Sequence, residues 1–251
     1  MASTKEKKEI YKLWGEAFPC LTTFSPTAFY MTLDIAVIGI RLMPLIGGEE
    51  YRPHFMCYPL WRENNNMNMK DGIFMQQMYN AKKLQLDISY LANQDTIKKA
   101  IDLTKKQIGT CVQEQVPVKD IFGILKWYFS YILVQSSPIL QSKVLEYEFM
   151  IALYINNPNF IDKVKTEITK ISNCWDPNYF EGRHGKIEDW RQRLFDRLEN
   201  RDAFLLQIQK NINDGKIAKL PRAHMIFSDR ELKHLSLSKR KYFHCILNWF
   251  D

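Results

Sequence analysis

Asp34-Ile-Ala-Val-Ile-Gly-Ile-Arg-Leu-Met43, Pro44-Leu-Ile-Gly-Gly-Glu-Glu50 and Tyr51-Arg-Pro-His-Phe-Met-Cys-Tyr-Pro-Leu-Trp61 follow one another without interruption. Two β-rich runs flank Gly47-Gly48, a pair that a tight hairpin turn favours because both central residues can take positive φ. With those glycines at the turn, Arg41 lies opposite His54, Met43 opposite Arg52, Ile38 opposite Cys57 and Ile40 opposite Phe55. One face then carries Ile38, Ile40, Leu42, Phe55 and Cys57 and belongs to a core. The other gathers Arg41, Arg52 and His54 near the tip, a small cationic cluster with Glu49 and Glu50 close enough to neutralise it. Pro53 and Pro59 lack the N–H of a central strand, which predicts an edge or irregular position for the second strand.

On the N-terminal side, residues 4–17 place Ile10, Leu13, Trp14 and Ala17 on one helical face, and Pro19 ends that helix. Phe24-Ser-Pro-Thr-Ala28 reads as loop. On the C-terminal side, the Asn-rich segment 61–70 reads as a polar linker. Beyond it apolar residues recur every three to four positions, predicting helices near 71–91, 94–115, 118–135, 139–156, 159–172 and 184–213. Pro117, Pro138 and Pro158 mark boundaries. Ser228-Asp-Arg-Glu231 has the form of a capping box and predicts a short helix over 228–235. Residues 238–250 read as a further helix or a strand, with helix favoured. The expected fold is α+β and predominantly α-helical: an N-terminal helix and β-hairpin (1–62) followed by a multi-helix body (63–251), in a single domain spanning 1–251.

Of the 251 residues, 46% are hydrophobic and 25% charged, an ordinary globular balance. The charged opening residues lack an apolar h-region, so no secretory signal is expected. The most apolar stretch, 121–134, is too short to cross a bilayer and contains Lys126. Cys20, Cys57, Cys111, Cys174 and Cys245 are odd in number and scattered, which predicts reduced, mostly buried thiols in a cytoplasmic protein. No P-loop, dinucleotide fingerprint, nucleophile elbow or H-E-x-x-H is present, and neither cofactor nor metal is expected.

The net charge of +7 draws attention to acidic partners. Basic residues concentrate near the C-terminus, where Arg230, Lys233, Lys239, Arg240 and Lys241 lie among aromatics. That pattern suits a phosphate backbone, with cations displacing counterions and rings stacking on bases; its plainer reading is a solvated face. The two helices around it could pack as a helix-turn-helix. His224, His234 and His244 recur at intervals of ten, which a continuous helix would not bring to one face, so structural or solvent-facing roles are expected. Aromatic-rich segments around Trp127–Tyr131 and Tyr147–Tyr154 read as core helices, with a partner-binding groove as the alternative.

These features lead to a non-enzymatic protein that binds another macromolecule, as an immunity or accessory protein of a bacterial conflict system does, with a protein partner expected first. Two alternatives accompany it. One is nucleic-acid binding through the C-terminal basic segment; the other is an enzyme without a recognisable motif, built on Asp34, Arg41, Arg52 and His54.

Overall fold

The computed structural model describes residues 2–63 and 71–237. The chain runs α1 (Thr4–Ala17), β1 (Thr22–Ser25), β2 (Ala28–Leu33), β3 (Ala36–Pro44), β4 (Glu50–Pro59), β5 (Phe74–Gln77), β6 (Ile88–Ser89), α2 (Gln94–Ile108) and β7 (Gln115–Pro117). It continues through α3 (Val118–Phe129), α4 (Ile132–Gln135), α5 (Pro138–Ile155), α6 (Pro158–Ser172), α7 (Pro177–His184), α8 (Ile187–Phe195), α9 (Arg201–Ile212), β8 (Arg222–Ile226) and α10 (Asp229–Leu232).

The hairpin register follows the Gly47-Gly48 turn: Arg41 pairs with His54, Met43 with Arg52, Ile40 with Phe55 and Ile38 with Cys57. Its setting differs from expectation. The hairpin is the middle of an eight-stranded mixed sheet, ordered β5-β4-β3-β2-β8-β7, with β1 added to β2 and β6 added to β4. This overturns the expectation of a predominantly α-helical protein with a single hairpin. β4 is an interior strand, because β6 pairs with Glu50 and Tyr51 while β5 pairs with residues 54–57. Pro53 falls in the gap between those two short partners, where no ladder bond is needed on that side.

The physical reason for the missed strands is burial on both faces. All six residues of β2 are buried, so the apolar-polar alternation of a half-exposed strand never appears in the sequence. Pro26 and Thr27 form the turn between β1 and β2, with Ser25 opposite Ala28. Residues 71–91 form β5, β6 and turns, not a helix. There Phe74 and Met78 imitate an i, i+4 helical pair because the intervening inward position is the buried Gln76, whose Nε2 donates to the Gln77 carbonyl. β8 joins β2 in parallel through Thr32 opposite Arg222, and joins β7 in parallel through Val116 opposite Met225.

Gly39 has no substitute at the β2–β3 crossing. Its φ is +150°, and a Cβ there would sit 2.1 Å from the Phe29 carbonyl oxygen. The buried side chains form one cluster, running from Trp14 through the sheet to Phe204 and Leu232.

The helices follow their sequence signals more closely. A capping box joins Ser3 and Glu6 at α1, and another joins Ser228 and Glu231 at α10. Pro138 and Pro158 open α5 and α6, with Ser137 and Asn157 as their caps. α5 is buried nearly all round. The helix expected over 118–135 breaks at Ser130-Tyr131 into α3 and α4, and that expected over 184–213 divides into α8 and α9.

Candidate functional site

At the hairpin tip the expected cationic cluster is dismantled by local chemistry. Arg52 makes a two-pronged ion pair with Asp87, Nε to Oδ1 at 2.6 Å and NH2 to Oδ2 at 3.0 Å. Asp87 therefore does the neutralising expected of Glu49 and Glu50. His54 is buried, with Nδ1 3.2 Å from the Arg52 carbonyl. Burial pushes its imidazole down to about 4, with the Arg52 and Arg41 charges acting in the same direction. His54 is thus neutral near pH 7 and donates from Nδ1. Arg41 stands opposite it on β3, half-buried.

Asp34 does not join this group. It occupies the two-residue turn between β2 and β3, at the far end of β3, with φ +45°, a left-handed conformation that aspartate tolerates. Its side chain is 4% exposed. One carboxylate oxygen accepts the Met225 N–H at 2.7 Å and the other lies 3.0 Å from His224 Nδ1. The backbone N–H of Asp34 donates to the Ala223 carbonyl. These bonds lock the turn to β8 and leave the His224 side chain 71% exposed. The four-residue enzyme constellation of Asp34, Arg41, Arg52 and His54 is therefore not assembled.

The C-terminal basic segment is placed in part. Arg230 and Lys233 are exposed, Arg230 on α10 and Lys233 just after it; Glu231 between them pairs with Lys119 at 3.6 Å. Lys239, Arg240, Lys241 and His244 lie outside the described residues, as does the helix expected over 238–250. α10 has four residues, too short for half of the expected helix-turn-helix.

What the fold does bring together lies along α6. The chain from α10 onward runs beside this helix from its N-terminal end. Asn157 Nδ2 donates to Asp229 at 3.0 Å, Lys163 Nζ to the Lys233 carbonyl at 2.7 Å, and Ser236 Oγ to Glu167 Oε1 at 3.0 Å. Residues 160, 163, 167 and 171 recur at three- to four-residue spacing and so share one stripe of the helix surface. Under that stripe, on α5, lies Glu148, with no exposed surface. Neither of its carboxyl oxygens has a hydrogen-bond partner among the described residues. Burial holds its pKa well above the usual carboxylate range, and the Glu167 charge adds to the effect while Lys126 and Lys163 oppose it.

Past the C-terminal end of α6 the stripe opens into a cleft of about 830 Å³. Gln135, Pro138 and Gln141 from the α4–α5 junction form one wall; Ile171, Trp175 and Tyr179 from the α6–α7 junction form the other. Trp175 is buried and fixed: its Nε1 donates to Gln141 Oε1 at 2.6 Å, and its ring lies 4.8 Å from Phe180 and 5.1 Å from Trp190, centroid to centroid. The elements that line the cleft also carry exposed apolar side chains. Tyr179 is 71% exposed, and α4, whose last residue lines the cleft, presents Ile132 at 80% and Leu133 at 73%. Cys174 is exposed at the rim, whereas Cys57 and Cys111 are buried and burial raises the pKa of both thiols.

Comparison with known protein families, curated proteins and solved structures finds no match to this chain. Among the described residues no helix is long and apolar enough to cross a membrane, and no three His, Cys, Asp or Glu side chains gather as a metal site. The cleft escaped sequence reasoning because it is made where two helix junctions meet.

Proposed function

We propose that this chain is a non-enzymatic interaction protein that takes an apolar segment of a polypeptide partner into the cleft between the α4–α5 and α6–α7 junctions. This is the class to which immunity and accessory proteins belong. The observation that carries the reading is the cleft itself. Its lining joins the buried, hydrogen-bonded Trp175 to the solvent-open Tyr179, and α4, whose last residue Gln135 also lines it, carries the exposed Ile132 and Leu133. Contiguous exposed apolar surface around a preformed concavity marks interaction sites, and binding energy concentrates where an aliphatic or aromatic anchor fills such a pocket. The polar groups of the lining, among them Lys170, Cys174 and Asp176, include no histidine or other base paired to a nucleophile.

The test is capture from native cells on wild-type protein and on Leu133→Glu and Tyr179→Glu, both exposed positions, with and without nuclease. The expected outcome is a nuclease-resistant partner retained by the wild type and reduced about tenfold or more by either charge, because each puts a carboxylate into a contact that must lose water. Equal capture by all three proteins would refute the reading. Loss of capture on nuclease treatment would transfer the function to the basic segment of Arg230, Lys233, Lys239, Arg240 and Lys241, whose binding should then fall steeply with salt.

A further inference from the structure

We propose that, independently of the cleft, the protein docks peripherally on an anionic lipid surface through the face built around Tyr79, Trp127 and Tyr131, with Ile132, Leu133 and Leu84 entering the boundary between headgroups and acyl chains.

The face begins with a fixed aromatic cluster. The Tyr79 backbone is held to α2 at both of its polar groups: its N–H donates to Gln107 Oε1 at 2.9 Å and its carbonyl accepts from Gln107 Nε2 at 2.8 Å. Its ring lies 6.0 Å from Trp127 and 6.2 Å from Tyr131, centroid to centroid. The buried Gln76 donates from Nε2 to the Tyr131 hydroxyl. All three rings remain half-buried. Trp and Tyr, apolar in body and polar at one end, are the side chains that favour the interface between membrane and water.

Two apolar projections adjoin that cluster. α4 starts directly after Tyr131, and its first two residues are the exposed Ile132 and Leu133. After Tyr79 the chain turns back at once. Asn80 Oδ1 accepts the N–H groups of Lys82 and Leu84, and the Asn80 N–H donates to the Leu84 carbonyl. That turn presents Leu84, 62% exposed. A polypeptide partner needs a pocket shaped to each such tip. A bilayer accepts apolar tips of any shape, and binding grows with the apolar area that enters it.

Charge selects the headgroup. Lys82 and Lys83 in the turn are exposed, as is Lys106, next to Gln107 on α2. No carboxylate occurs in residues 72–86 or 121–145, the stretches that supply the rings and the tips. Cations beside apolar tips complement anionic lipid, and a peripheral protein is held stably when two such weak signals act together.

Flotation of the purified full-length protein with vesicles tests this, using phosphatidylcholine alone and phosphatidylcholine with about one-third phosphatidylserine. The expected result is binding to the anionic vesicles at least about tenfold tighter than to the neutral ones. Ile132→Glu combined with Leu133→Glu should weaken it by about tenfold or more, and Leu84→Glu by a similar factor. Lys82→Gln should weaken binding by about fivefold, on anionic vesicles only. Leu206→Glu, at an exposed leucine on α9, should change nothing. Absence of binding to anionic vesicles would overturn the proposal. So would binding that the three apolar substitutions leave intact, the mark of charge alone. Tighter binding of single-stranded RNA than of anionic vesicles would also overturn it, by assigning the rings and lysines to nucleic acid. α4 reaches the cleft as well, through Gln135, so Leu84→Glu on the separate β5–β6 turn divides the two surfaces. Loss of vesicle binding with partner capture unchanged supports a lipid surface distinct from the cleft. Failure of vesicle binding leaves the capture experiment on Tyr179→Glu standing.

Discussion

Glu148→Gln isolates the consequence of burying a carboxyl without a partner. The native carboxyl is held well above its ordinary value of 4.5 by burial and by Glu167, against the pull of Lys126 and Lys163. In the unfolded chain it titrates near that ordinary value. Between the two values the native state binds one more proton than the unfolded state, so stability falls as pH rises. The wild type is therefore least penalised below pH 4.5 and loses about 1.4 kcal/mol for each pH unit above it, until the native carboxyl itself ionises. Glutamine keeps the shape and cannot titrate. Near pH 4.5 the two proteins should differ by no more than about 1 kcal/mol, since each buries unpaired polar atoms. As pH rises above 4.5 the variant should gain on the wild type by up to about 1.4 kcal/mol per unit for as long as the native carboxyl stays protonated. Urea unfolding followed by tryptophan fluorescence at half-unit intervals from pH 4.5 to 7.5 measures the difference, and other titrating groups cancel in the comparison. A difference that stays flat across this range, or one that moves in favour of the wild type as pH rises, would refute the reasoning.

His54 has the opposite sign: its native pKa is depressed to about 4 from 6.5, so the stability it contributes is present above pH 6.5 and lost as pH falls towards 4. His54→Gln should flatten that acid limb by about 1.4 kcal/mol per unit across the window, read by the same unfolding assay. Gly39→Ala should destabilise by about 4 kcal/mol or more or prevent folding, because the added carbon meets backbone oxygen at 2.1 Å; a fully folded variant with an unchanged urea midpoint would contradict the crossing. Asp34→Ala should cost about 2 kcal/mol by stripping the carboxylate acceptor from the Met225 N–H. Asp34→Asn, which keeps an acceptor and tolerates the left-handed turn, should cost less, and equal losses in thermal unfolding would argue against the clamp.

Local chemistry in the sequence specified local structure well. Gly47-Gly48 set the register of β3 against β4 pair by pair, since a hairpin's pairing is dictated by its turn. Ser3 and Ser228 with their glutamates, and the prolines at 138 and 158, placed helix starts for the same reason: the interacting groups are within four residues of one another. The sheet was not legible on these terms. β8 pairs with β2 across Thr32 and Arg222, and no periodicity within either segment encodes a partner so far along the chain. Burial of β2 on both faces erased its alternation, and the buried Gln76 lent β5 a helical rhythm.

The same division holds for the site. Sequence alone determined which residues carry charge, which segments are apolar and where the capped or proline-led helices begin, because those properties belong to single residues and their near neighbours. Only tertiary structure decided that Arg52 is neutralised by Asp87, that Asp34 serves β8, that Glu148 is sealed away from water, and that two helix junctions enclose a cleft over Trp175. Each of those outcomes depends on which distant surface comes to rest beside the residue, and that is fixed by the packing of the whole core.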